Sequence, residues 1–242
     1  MPRPVQWILS LVFVIQMYAM MGLMALFFVP LSVFDRRWAF RAVRTYTGWV
    51  IWSARILVGL KVEVRGAAPS EEALIAAKHQ SFFDIIVIAN AVPRPRFVMK
   101  AILRYAPILG YFALRIGCVP VDRGKRGRAI EQMVSGVRDN PAGPGQLIIY
   151  PQGTRVPPGE KRPYKVGPAI LYRNLGQPCY PVATNIGLFW PKRGIMRYRG
   201  TCVVDFLEPI QPGMAQDGFM ARLEKDIEAR SDALCAEADI TK

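Results

Sequence analysis

Residues 73–84 read Ala73-Leu74-Ile75-Ala76-Ala77-Lys78-His79-Gln80-Ser81-Phe82-Phe83-Asp84. The change of pattern inside this stretch sets the fold. The first five residues, small and apolar, predict a short strand, and Ser81 stands where it can cap a helix through about Val92. The same alternation recurs along the chain. Val62 to Val64, Gln146 to Tyr150, Gln177 to Ala183 and Thr201 to Leu207 predict further strands, with helical stretches near 102–114, 127–138 and 166–174. Phe219, Leu223, Ile227 and Leu234 fall on one helical face near the C-terminus. The expectation is an α/β domain over residues 60–242, with a central mixed sheet covered by helices.

Upstream the pattern differs. No charged residue lies between Arg3 and Asp35, and Val5 to Val29 is apolar apart from Gln6, Ser10 and Gln16. As a helix those positions would span about 37 Å, enough to cross a hydrocarbon core of roughly 30 Å with some tilt. The run is too long for the apolar region of a signal peptide, and no small-residue cleavage site follows. Pro30 is expected to break or kink it. A second helix from about Arg36 to Leu60 would interleave Arg37, Arg41 and Arg44 with Trp38, Phe40, Tyr46, Trp49 and Trp52, a mixture suited to lipid headgroups. Residues 1–59 therefore read as a membrane-associated two-helix segment.

The bulk numbers agree with that reading. The 242 residues carry a net charge of +14 and a pI near 10.0 beside a positive mean hydropathy. Asp217 to Lys242 holds seven acidic and four basic residues, so the chain before it carries +17. Such a charge on an apolar chain points to an anionic membrane, where each juxtamembrane cation contributes about 1 kcal/mol. Nucleic acid is not expected as a partner, because the densest run of cations and aromatics precedes the α/β domain. Cys118, Cys179, Cys202 and Cys235 have no paired spacing and read as buried thiols of a reducing compartment. Together with one histidine they suggest no metal site.

His79 is the only imidazole in the chain, and Asp84 follows it by five positions. An imidazole takes and returns protons near neutral pH, and a carboxylate partner fixes its tautomer. Two later segments add to the pair. Gly117-Cys118-Val119-Pro120-Val121-Asp122-Arg123 ends a strand-like run in arginine, and Tyr150-Pro151-Gln152-Gly153-Thr154-Arg155 places a guanidinium after a strand and a Pro/Gly turn. A guanidinium fork matches phosphate oxygens, and turns after strands lie on the rim where α/β proteins place ligands.

Taken in order, these blocks resemble the 1-acyl-sn-glycerol-3-phosphate acyltransferase family, the H-x4-D glycerolipid acyltransferases. His79 and Asp84 match H-x4-D; Gly117 and Arg123 match G-x-x-F-I-x-R; Pro151, Gly153, Thr154 and Arg155 match F-P-E-G-T-R; Pro178, Pro181 and Val182 match V-P-x-x-P-V. Lys100, Pro107 and Gly110, and then Lys165 and Gly167, are similar to two further family positions. The likeness covers roughly residues 60–210. The chain departs from the family at Gln152, where glutamate is usual, and at Pro120, where an aromatic is usual.

The resemblance implies acyl transfer from an acyl carrier protein or coenzyme A thioester to the sn-2 hydroxyl of 1-acylglycerol-3-phosphate, giving phosphatidic acid in phospholipid biosynthesis, with no other cofactor. His79 would be the general base and Asp84 its orienting partner. Arg155, Gln152, Gly153, Thr154, Arg123, Lys100 and Lys165 would bind substrate, and backbone amides or Lys100 the oxyanion. The absence of a G-x-S-x-G elbow favours direct transfer without an acyl-enzyme. Because cations follow the apolar run, the catalytic domain is expected on the cytoplasmic face of the inner membrane. The alternatives are the same chemistry on another lysolipid, such as a lyso-ornithine lipid, and a non-catalytic membrane-anchored binding protein.

Overall fold

The computed structural model describes residues 2–122, 126–138 and 140–238. Seven strands form one mixed sheet: β1 (Leu60–Arg65), β2 (Ala73–Ala77), β3 (Pro95–Lys100), β4 (Val119–Val121), β5 (Gln146–Ile149), β6 (Cys179–Thr184) and β7 (Gly200–Phe206), in the order β1-β7-β6-β2-β5-β3-β4. All neighbours are parallel except β6 and β7. β2 lies at the centre and every one of its residues is buried. Its side chains alternate between two cores, as the two-residue period of a strand requires. Ile75 and Ala77 face the core shared with α1 (Arg3–Phe34), α2 (Arg37–Ser53) and α3 (Phe83–Ala91). Leu74 and Ala76 face the core shared with α5 (Arg126–Arg138), α6 (Gly167–Leu175) and α7 (Gln216–Glu237).

This layering locates the ligand crevice. β2 leads through α3 on one face towards β3, whereas its neighbour β5 leads through α6 on the other face towards β6. The chain thus departs in opposite directions from two adjacent parallel strands. In open α/β sheets the gap beyond the carboxyl ends at such a switch point is where ligands bind. His79 follows β2 there, and the Tyr150–Arg155 turn follows β5.

Helix α7 covers the second core as its spacing predicted. Phe219, Leu223, Ile227 and Leu234 are fully buried, each worth about 1.5–3 kcal/mol relative to exposure.

Helix α1 inverts the usual polarity. Gln6 and Ser10, exceptions in the apolar run, are buried against the protein, where Gln6 Nε2 donates to the carbonyls of Val58 and Arg197 at 3.0 and 2.7 Å. Gln16 accepts the indole N–H of Trp49 at 2.8 Å. Many of the large apolar side chains point the other way: Leu26 is 77% exposed, and Ile8, Ile15 and Phe27 are also open. A helix that turns its few polar side chains inward and leaves large apolar ones outside suits a lipid surround. It is also long and apolar enough to cross a membrane. Phe13 and Met17 of α1 and Ala39 and Val50 of α2 nevertheless belong to the first core. Deleting residues 1–58 would open that core as well as remove the apolar helix.

Three local expectations are corrected. Pro30 does not break α1, which continues to Phe34. The final carbonyls are held by Arg115, whose guanidinium donates to the carbonyls of Ser32 and Val33 at 2.6–2.9 Å, and the chain turns at Asp35 instead. The second helix stops at Ser53 and ends in a wide turn over Ala54–Val58. The stretch near 102–114 is a tight 3-10 turn, Ala101–Tyr105, followed by α4 (Pro107–Arg115). Gly110 permits that arrangement, since a Cβ there would lie 2.4 Å from the Arg104 carbonyl oxygen.

Candidate active site

The first half of the site is local. Ser81 Oγ accepts the N–H of Phe83 at 3.2 Å, and Asp84 Oδ2 accepts the N–H groups of Ser81 at 2.9 Å and Gln80 at 2.7 Å. This reciprocal cap starts α3 and fixes Asp84, which is fully buried. The same Oδ2 lies 3.0 Å from His79 Nδ1. An ionised carboxylate only accepts, so Nδ1 carries the hydrogen, and Nε2 is the basic nitrogen of the neutral ring. Tyr150 stacks on the imidazole, with centroids 4.0 Å apart and planes at 19°. Burial, aided by the Asp84 charge, pushes the Tyr150 phenol well above its ordinary pKa and keeps it neutral.

The second half comes from the turn after β5. The N–H of Gly153 donates to the Tyr150 carbonyl at 2.9 Å, and Gly153 has φ +67°, a left-handed conformation that glycine adopts without strain. The Lys165 ammonium lies over it, 2.9 Å from where a Cβ would stand. The N–H of Val156 donates to the carbonyl of His79 at 2.7 Å, which ties this turn to the imidazole residue itself. Gln152, Gly153, Thr154, Arg155 and Lys165 are thereby assembled beside the His79–Asp84 pair. Lys165 joins through its N–H, which donates to the Pro151 carbonyl at 3.0 Å.

Arg155 is half-buried and engages only the Lys192 carbonyl, at 3.5 Å, leaving most of its donors without a partner among the described residues. Lys192 returns the contact, its Nζ donating to the Arg155 carbonyl at 2.9 Å. Lys100 ends β3 on the same rim, exposed, with β5 between its strand and β2. Arg123 lies outside the described residues.

Several participants escaped the sequence reading. Lys192 stands 37 residues beyond Arg155 and belongs to no block. The basic run around it, Trp190-Pro191-Lys192-Arg193, was the one available signal. Lys78 is buried against Glu228 of α7, with Nζ 2.6 Å from both carboxylate oxygens; nothing in the local pattern links the two.

The surroundings of Cys118 disfavour a thiolate. It accepts the Phe97 N–H at 3.3 Å, and burial pushes its pKa up to about 12. Cys179 and Cys202 are likewise buried, whereas Cys235, expected to be so, is only half-buried on α7. Among the described residues no group of three or more His, Cys, Asp or Glu side chains could hold a metal ion.

Comparison with known proteins identifies the family. Residues 60–185, just over half the chain, match the family model described as Acyltransferase. The chain is 29% identical over 218 residues to the 1-acyl-sn-glycerol-3-phosphate acyltransferase of Pseudomonas aeruginosa, covering 89% of this chain and 83% of that one. It is 31% identical over 163 residues to the enzyme of the same name from Saccharomyces cerevisiae, covering 64% and 54%. The crystal structure of the 1-acyl-sn-glycerophosphate (LPA) acyltransferase PlsC from Thermotoga maritima superposes with a TM-score of 0.78 at 19% identity, covering 97% of this chain and 99% of that one. That last likeness is one of fold.

Proposed function

The chain belongs to the acyltransferase family, and on that footing we propose that it transfers a fatty acyl group from a thioester to the sn-2 hydroxyl of 1-acylglycerol-3-phosphate, producing phosphatidic acid. The observation that carries the reading is the His79–Asp84 pair, 3.0 Å apart at the carboxyl end of β2 and joined through Val156 to the turn bearing Arg155. His79 Nε2 takes the proton of the acceptor hydroxyl as its oxygen attacks the thioester carbonyl. The buried Asp84 carboxylate stabilises the imidazolium that forms. Collapse of the tetrahedral intermediate breaks the carbon–sulfur bond, and the imidazolium returns its proton to the departing thiolate. No acyl-enzyme is needed.

A phosphate monoester on the acceptor accounts for the cations. Arg155 can offer it a two-pronged donor, with Lys192 and Lys165 adding charge nearby. The acyl chains of such an acceptor stay in the lipid, which fits the apolar outer face of α1. With Arg36, Arg37, Arg41 and Arg44 following that helix, the catalytic domain lies on the cytoplasmic side of the inner membrane, where acyl carrier protein and coenzyme A thioesters are available.

The test is turnover by purified protein supplied with radiolabelled acyl carrier protein or coenzyme A thioesters and a panel of lysolipids, the product identified by mass. Phosphatidic acid from lysophosphatidic acid, absent with His79→Ala, is expected. Preferential acylation of a lyso-ornithine lipid would replace the proposed acceptor, and no acylation of any lysolipid would refute the reaction.

A further inference from the structure

Glu228 of α7 gathers side chains from three segments that converge on His79. Both its oxygens lie 2.6 Å from Nζ of Lys78, the residue preceding the imidazole. Oε1 also accepts the Tyr164 hydroxyl at 2.8 Å and faces Nε2 of Gln152 at 3.5 Å. Lys78 is 3% and Gln152 4% exposed, so water contributes little to either. A buried ammonium left without its carboxylate is strongly unfavourable. Tyr164 immediately precedes Lys165, so the same carboxylate also anchors the segment that lays Lys165 over Gly153.

Gln152 has a second neighbour, the carbonyl of Arg162, 3.3 Å from Nε2. Both neighbours are acceptors, which dictates that the amide turns its NH2 towards them. Glutamate at 152, usual in the family the sequence resembles, would set one carboxylate against another and against a carbonyl. Two like charges at that spacing do not both stay ionised without a large penalty.

We infer that the partly buried negative charge beneath the β5 turn is supplied in this protein by Glu228, from the C-terminal helix, and that Gln152 is the neutral partner this charge demands. Resting on the acyl-transfer reading above, Glu228 is a positioning residue: it sets Lys78, the Gln152 turn and the Tyr164–Lys165 segment on the acceptor side of the site. Restoring the family's glutamate alone is therefore harmful here.

The experiment is a double-mutant cycle of Q152E and E228Q on the full chain in detergent, read by thermal midpoint without substrate and by KM for each substrate. Each single change is expected to lower the midpoint by roughly 5 °C or more and to raise the acceptor KM by about tenfold while the thioester KM stays put. The double variant, again with one carboxylate near Lys78, should recover a large part of both losses. Wild-type behaviour of Q152E, losses that multiply in the double variant, or equal effects on both substrates would overturn the assignment. Should Q152E not fold, Y164F removes one donor to Glu228 alone; a rise of about threefold in acceptor KM supports the inference, and an unchanged acceptor KM refutes it. Failure of the wild-type chain to use lysophosphatidic acid would refute the proposed acceptor instead, and the substrate-free midpoints would then decide the pairing.

Discussion

Asp84 Oδ2 receives His79 Nδ1 at 3.0 Å and the N–H groups of Gln80 and Ser81 at 2.7 and 2.9 Å. One oxygen of one carboxylate thus starts a helix and orients an imidazole, so the helix cap and the catalytic geometry cannot be separated. His79→Ala removes the base without touching the cap, and turnover should fall by about 10²–10⁴ with the fold intact. Asp84→Asn keeps an acceptor oxygen and loses the charge that stabilises imidazolium, so it should be nearly as harmful. Steady-state rates with circular dichroism as the folding control check both. A folded His79→Ala variant near the wild-type rate would remove His79 from the chemistry.

Arg155 and Lys192 clasp each other through their backbone carbonyls. Arg155→Lys keeps the charge and loses the planar fork, and it should raise the acceptor KM with little effect on the thioester. Lys192→Met should do the same more weakly, since it deletes one cation and releases the Arg155 carbonyl. Equal losses for both substrates in Arg155→Lys would place the guanidinium elsewhere.

Cys118 predicts a pH effect. Its thiol is pushed from 9.0 to about 12 by burial, so above pH 9 the unfolded chain releases a proton that the folded chain retains. The contribution is complete below about pH 9 and is lost progressively as pH rises to about 12. Urea midpoints should fall over that interval, less steeply in Cys118→Ala. The same variant should keep its turnover at neutral pH. Loss of acyl transfer in a folded Cys118→Ala protein would reopen the case for an acyl-enzyme.

Opposite faces of α1 should respond oppositely. Phe13 is fully buried and stacks edge-on against Trp190 at 5.5 Å; Phe13→Ala should cost about 3–5 kcal/mol of stability. Leu26→Lys, on the open face, should leave the thermal midpoint within a degree or two and weaken binding to anionic vesicles. Sedimentation with vesicles separates the two outcomes. For orientation, a cysteine replacing the exposed Gly159 should be labelled by a membrane-impermeant thiol reagent only from the cytoplasmic side of sealed vesicles.

Legibility followed the range of the interaction. The β2 strand and the Ser81 cap appear where the sequence places them, because alternation and capping are settled within a few residues. The strand β3 was missed. The sequence reading assigned no element to Pro95 and Arg96, yet the Arg96 guanidinium is buried, donating to the carbonyls of Gly143 at 2.8 Å and Gly145 at 3.2 Å. Partners some 47 residues away convert a charged residue into a strand residue. The break expected at Pro30 failed for the complementary reason: the helix runs on, and the carbonyl of Ser32 near its end is held by Arg115, 83 residues further on.

By itself the sequence determined the strand–helix alternation, the His79–Asp84 pair, the Pro/Gly turn before Arg155 and the apolar character of α1. Each of these depends on residues close together in the chain, whose conformational preferences act before any fold exists. Tertiary structure alone decided which strand lies beside β2, which side of α1 meets protein, that Lys192 joins Arg155, and that Glu228 reaches Lys78 across 150 residues. Those relationships depend on strand order and helix packing, and both are chosen by burial summed over the whole core.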